Sequence, residues 1–183
     1  MEARAVFLVG FMASGKSSVG RELARRLGWD FIDLDARIEM RERKSIAEIF
    51  SGHGEPGFRI AETAALLELT QSLERNSVVA LGGGAFAQDK NRELLRQWPS
   101  VFLQAPVDEL WRRSSEDHEI RPLRQDREQF AKLYEERLPS YRQATLCLET
   151  SGKDPDAICL EIEAALHLSG ANASPRTESG GSR

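Results

Sequence analysis

The sequence predicts an α/β fold built on a mostly parallel sheet. Short apolar runs alternate with longer amphipathic ones, and the first apolar run leads through a glycine-rich loop into a helical pattern. At 183 residues the chain has room for one domain with a substantial core and little for a second. No internal repeat interrupts that plan.

The elements follow in order. Ala5–Val9 is a short apolar run that a secretory leader would follow with a small-residue cleavage site. Here it runs straight on toward Gly15-Lys16-Ser17, so a buried strand is the reading. Ser17–Leu27 carries Val19, Leu23 and Leu27 at four-residue spacing, one face of a helix. Phe31–Asp33 is the second strand, and Ser45-Ile46-Ala47-Glu48 spells a capping box for a following helix. Ala61–Leu73 reads as a long helix and Ser77–Leu81 as the third strand. Val101–Gln104 and Thr145–Leu148 supply the last two strands, separated by a charged helix at Asp126–Leu138. Asp154–Leu168 closes the fold as a helix.

Two stretches depart from this rhythm. Ser114–Gln125 is polar, with Ile120 and Leu123 its only large aliphatics, and reads as a mobile lid. Ser169–Arg183 has no aromatic residue and is expected to be a disordered tail beyond a domain at 1–168.

Composition narrows the function classes. A net charge of −4 gives no basic surface for nucleic acid, and no apolar run approaches the roughly 20 residues of a membrane span. Cys147 and Cys159 have no CxxC spacing and no histidine nearby. They are expected to be buried free thiols in a reducing compartment, hence a cytoplasmic protein. His53, His118 and His167 are scattered and give no metal signal.

The strongest motif is Gly10-Phe11-Met12-Ala13-Ser14-Gly15-Lys16-Ser17, which has Walker A spacing. Its glycines let successive amides turn toward one anion, and the following helix adds unpaired amides at its positive end. Lys16 is placed to reach the β- and γ-phosphates, and the Ser17 hydroxyl to ligate Mg²⁺. Ala13, Ser14, Gly15 and Ser18 complete the expected ATP cradle. A glycine-rich turn with a solvated lysine is the competing reading.

Signals for the second half of a site are individually weaker. Asp33 and Asp35 bracket one apolar residue at a strand end, and strand alternation would send both toward the mouth of the sheet. One would serve a metal shell and the other a substrate hydroxyl; capping of a helix by Asp35 is the alternative. Gly82-Gly83-Gly84 after the third strand allows a ligand to approach the backbone, or is merely a flexible turn. Arg59 and Arg137 taken singly read more readily as surface ion pairs.

Taken together the motifs resemble those of the shikimate kinases, within the nucleoside monophosphate kinase-like P-loop proteins. The resemblance runs from about Ala5 to Leu168: the P-loop, Asp33-x-Asp35, Gly54-Glu55 leading to Phe58-Arg59-x-x-Glu62, Gly82-Gly83-Gly84, Arg121-Pro122-Leu123 and Arg137-x-Pro139-x-Tyr141. It implies a three-layer fold with a five-stranded parallel sheet in the order 2-3-1-4-5, a substrate-binding region near 35–64 and a lid near 114–125. It implies ATP and shikimate as partners and Mg²⁺ as cofactor; a monomer with no nucleic-acid or membrane partner is the accompanying expectation.

The resemblance also implies roles. Asp33 stands near the metal with Ser17, and Asp35 accepts the proton of the 3-hydroxyl. Arg59 and Arg137 grip the substrate carboxylate, with Gly82–Gly84 lining the same pocket. Lys16 and Arg121 meet the transferring phosphate. Arg113 and Lys153 are carried over more loosely as adenine-side contacts. Arg124 departs from the usual Arg-Pro-Leu-Leu of the lid. A kinase for aminoshikimate or gluconate, or a shikimate-binding homologue without catalysis, is the alternative.

Overall fold

The computed structural model describes residues 4–116 and 126–168. Arg121, Arg124, His118, most of the expected lid and the 169–183 tail lie outside these residues. Five parallel strands, β1 (Ala5–Val9), β2 (Asp30–Asp33), β3 (Ser77–Ala80), β4 (Ser100–Gln104) and β5 (Leu146–Glu149), form one sheet in the order β2-β3-β1-β4-β5. This is the strand order that the resemblance implied.

Strand β1 is central, and all of its residues are buried. Alternation along it divides the interior into two layers. Phe7 and Val9 face a core with Leu34, Leu66, Phe102 and Tyr141, while Val6 and Leu8 face one with Val19, Leu23, Ile158 and Ile162. Helices α1 (Lys16–Leu27) and α7 (Pro155–Ala165) cover the second face. Arg26 of α1 ties the two together through Asp156 at 2.6 Å and Glu163 at 2.5 Å.

The other face carries α2 (Leu34–Glu42), α3 (Ile46–Gln71), α4 (Asp89–Leu95), α5 (Val107–Glu116) and α6 (Arg127–Tyr141). The Ser45/Glu48 capping box forms as expected and starts α3. The helix expected after that box and the one expected from Ala61 run on as one element through the Gly54–Gly57 stretch. It kinks at Gly54 (φ 64°, ψ −174°), after which Pro56 falls in the first turn of the second segment, where its missing N–H costs nothing. Phe50 and Phe58 pack across the kink with ring centroids 4.7 Å apart. Helix α6 likewise extends past Leu138 to Tyr141, with Pro139 and Glu135, the residue whose carbonyl loses its amide partner, both exposed.

One expectation is corrected outright. Cys147 is exposed, although Cys159 is buried, with its thiol donating to the Val19 carbonyl at 3.5 Å. Strand β5 is an edge strand whose Leu146 and Leu148 pack inward, so the alternate position of Cys147 faces out. Both thiols are free.

Candidate active site

A cavity of about 810 Å³ opens at the carboxyl ends of β1, β2 and β3. This is where a doubly wound sheet places its ligands. One wall is the loop after β1. Ala13 (φ 62°) and Gly15 (φ 88°) both take left-handed backbone there, which curls the loop around a concavity. No side chain caps α1, so the amides of its first turn are open to an anion. The Lys16 ammonium lies over the loop, donating to the carbonyls of Gly10 at 3.0 Å and Phe11 at 2.8 Å. Met12, Ala13 and Gly15 to Ser18 all line the cavity, whereas Ser14 is buried beneath it.

Asp33 and Asp35 also reach this cavity, by a route different from strand alternation. Asp33 ends β2 and is itself the N-cap of α2, its Oδ1 accepting from the amides of Asp35 at 3.0 Å and Ala36 at 3.4 Å. Asp35 therefore stands in the first turn of a helix. The other oxygen of Asp33 accepts from the Ser17 hydroxyl at 3.3 Å. One carboxylate and one hydroxyl thus meet beside the phosphate loop, an all-oxygen pair suited to a hard cation completed by phosphate oxygens and water. No larger cluster of metal-ligating side chains occurs among the described residues.

The opposite wall is cationic. Arg59 of α3 pairs with Glu62 at 2.8 Å and Glu55 at 2.9 Å. Arg137 of α6 is buried, and its guanidinium stands over the Phe11 ring at 5.7 Å. Between these arginines runs the Gly82-Gly83-Gly84 loop. A Cβ at Gly84 would fall 2.3–2.5 Å from the Arg59 guanidinium, and one at Gly82 would fall 2.7 Å from Asp35 Oδ1. Glycine leaves these side chains room against the loop, and a Cβ at either position would displace them.

Three residues without an expected role complete the wall. Glu62 is fully buried, and burial pushes its carboxyl above the ordinary range despite the neighbouring Arg59 and Arg137. Gln88 donates to it at 2.7 Å. Tyr141 is buried, its phenol is pushed up to about 12 by burial, and its hydroxyl donates to the Gly83 carbonyl. Glu62 and Tyr141 stood inside quoted motifs, so their burial was the missing signal; nothing in the sequence marked Gln88.

Two adenine-side expectations separate. Arg113 of α5 lines the cavity and pairs with Glu109, which also accepts from the Ser151 hydroxyl. Lys153 pairs with Glu161 at 2.7 Å and is not among the lining residues. His53 and His167 are exposed.

The shikimate kinase family model matches residues 12–167. A shikimate kinase from Geobacter metallireducens is 45% identical over 162 residues, covering 87% of this chain and 89% of its own. One from Prochlorococcus marinus is 42% identical over 162 residues, covering 87% and 83%. Among solved structures, a shikimate kinase from Acinetobacter baumannii in complex with shikimate superposes with a TM-score of 0.83 at 37% identity, over 90% of this chain and 94% of that one. A gluconokinase from Sinorhizobium meliloti, at 20% identity and a TM-score of 0.59 over 90% and 91%, shares the fold alone.

Proposed function

The chain belongs to the shikimate kinase family, and we propose that its residues carry out that reaction, transfer of the ATP γ-phosphate to the 3-hydroxyl of shikimate, in the following way. The carrying observation is convergence: a phosphate loop, two carboxylates, two arginines and three glycines border one cavity. A generic nucleotide cradle needs only the first of these.

Arg59 and Arg137 bind the shikimate carboxylate, since a planar guanidinium can offer two parallel donors. Gly82–Gly84 let the ring lie against backbone. Asp35 then receives the 3-hydroxyl proton as the oxygen attacks the γ-phosphorus and the bond to the bridging oxygen breaks, releasing ADP. Amides of Ala13 to Ser18 and the Lys16 ammonium hold the phosphates and offset the developing charge. Arg121, outside the described residues, is assigned a further cationic contact to the transferring group. Mg²⁺, held by Ser17 and Asp33 with the phosphates, would supply additional charge neutralisation at the β- and γ-oxygens. Two free cysteines agree with a cytoplasmic enzyme, acting as a monomer.

Shikimate is favoured over gluconate by the full series of Asp33 and Asp35, Arg59 and the Gly82–Gly84 loop around one cavity. Steady-state kcat/KM values for shikimate, aminoshikimate and gluconate test this. Shikimate is expected to lead gluconate by about three orders of magnitude or more, because unpaired site groups penalise the wrong acid. Equal values would remove the assignment.

Gly84→Ala tests the grip itself. The added methyl meets the Arg59 guanidinium rather than backbone, so the fold is retained while Arg59 is displaced from Glu62. The KM for shikimate is expected to rise about ten-fold or more, the scale of one charged hydrogen bond. An unchanged KM would exclude Arg59 from the substrate site.

A further inference from the structure

Gln88 begins α4, and its side chain does not do what that position ordinarily asks. Helix starts favour Ser, Thr, Asp or Asn, whose short side chains accept from an amide of the first turn. Gln88 makes no such bond. Its backbone carbonyl still starts the helix, accepting from the amides of Asn91 and Arg92 at 3.1 Å each. The carboxamide turns away from α4 and donates at 2.7 Å to Glu62 Oε2. A local rule broken beside a functional wall points to a demand other than helix stability.

Glu62 shows what that demand is. Its Oε2 receives both Gln88 Nε2 at 2.7 Å and Arg59 Nη1 at 2.8 Å. Its Oε1 is buried with no hydrogen-bond partner among the described residues and lies 3.1 Å from the place a Cβ would take at Gly82. A fully buried carboxylate in this setting needs its donors to stay ionised and to stay in one orientation.

We propose that Gln88 is a positioning residue for substrate recognition, acting through Glu62 to hold the Arg59 guanidinium toward the shikimate carboxylate. This rests on shikimate as the substrate and deepens that reading. The charged groups facing Glu62 are Arg59 on its own helix, Arg137 from α6, and Asp35 from α2 across Gly82. Burial raises the Glu62 carboxyl, and Arg59, Arg137 and Gln88 each lower it. Removing the amide donor therefore lets Glu62 protonate at a higher pH. Once neutral, it anchors Arg59 less firmly.

Gln88→Ser separates positioning from structure, because serine is a preferred helix start and cannot reach Glu62. The melting temperature is expected to stay within a few degrees of native, because the serine cap offsets the donor lost to buried Glu62. The KM for shikimate is expected to rise about five-fold at neutral pH, below the ten-fold of a direct charged contact, with kcat and the KM for ATP within about two-fold of native. The acidic rise of the shikimate KM should move to higher pH. Gln88→Met, which keeps the length without the donor, should give the same KM split. If native protein releases ADP with shikimate and both variants keep its KM and pH profile, Gln88 has no such role. If the native protein shows no shikimate-dependent ADP release, the substrate reading falls and this role with it.

Discussion

Asp35→Asn is expected to lower kcat by about 10²–10⁴-fold, the range of a positioned general base, while the KM for shikimate changes only a few-fold. Asparagine has nearly the same shape and can still accept a hydrogen bond from a ring hydroxyl, but it cannot take the proton. Asp35 suits that task because it stands in the first turn of α2, with its amide held by Asp33 and its Oδ1 directed at the Gly82 side of the cavity. A coupled ADP-release assay at saturating ATP and shikimate reads the loss. A variant within ten-fold of native turnover would remove Asp35 from the proton transfer.

Lys16→Met is expected to cost about 10²–10³-fold in kcat, the scale of deleting one preorganised electrostatic contact to a transition state. Methionine retains the apolar stem and removes the charge. The ammonium bonds to the carbonyls of Gly10 and Phe11, and Lys16 lines the cavity beside the loop. ATP affinity should fall as well, because the same charge meets the ground-state phosphates. Titration calorimetry with ATP and turnover measured side by side separate the two effects. Native turnover in a folded Lys16→Met protein would exclude the lysine from phosphoryl transfer.

Much of the fold was legible because buried parallel strands are short, apolar and followed by turn signals. Ala5–Val9 was read with its observed bounds, and the other strands to within one residue at each end. The errors share a cause: local patterns were extended past the point where tertiary context takes over. Alternation was carried through Asp33 to Asp35, yet the chain turns helical at Leu34 and Asp33 becomes the cap. The long helix was started at Ala61, but packing of Phe50 on Phe58 carries α3 across the Gly54 kink. Cys147 was assigned to the interior without allowing for the open face of an edge strand.

The site was legible where a backbone pattern and a chemical group coincide, as at Gly15-Lys16-Ser17. It was not legible where function depends on a buried contact between distant residues. Gln88 and Glu62 are 26 positions apart, and only folding shows that one amide serves the other's carboxylate. The same holds for Tyr141, which reaches the Gly83 carbonyl across 58 positions.

The central claim is that phosphate held by the Gly10–Ser17 loop passes to a hydroxyl positioned by Asp35 on an acid whose carboxylate Arg59 and Arg137 hold. Phosphorus NMR of a reaction containing the protein, ATP, Mg²⁺ and shikimate tests it most directly. The expected result is one new phosphomonoester resonance, coupled to the proton on carbon 3 of the ring and growing in step with ADP. Growth of ADP with inorganic phosphate alone, or at a rate indifferent to shikimate, would contradict it.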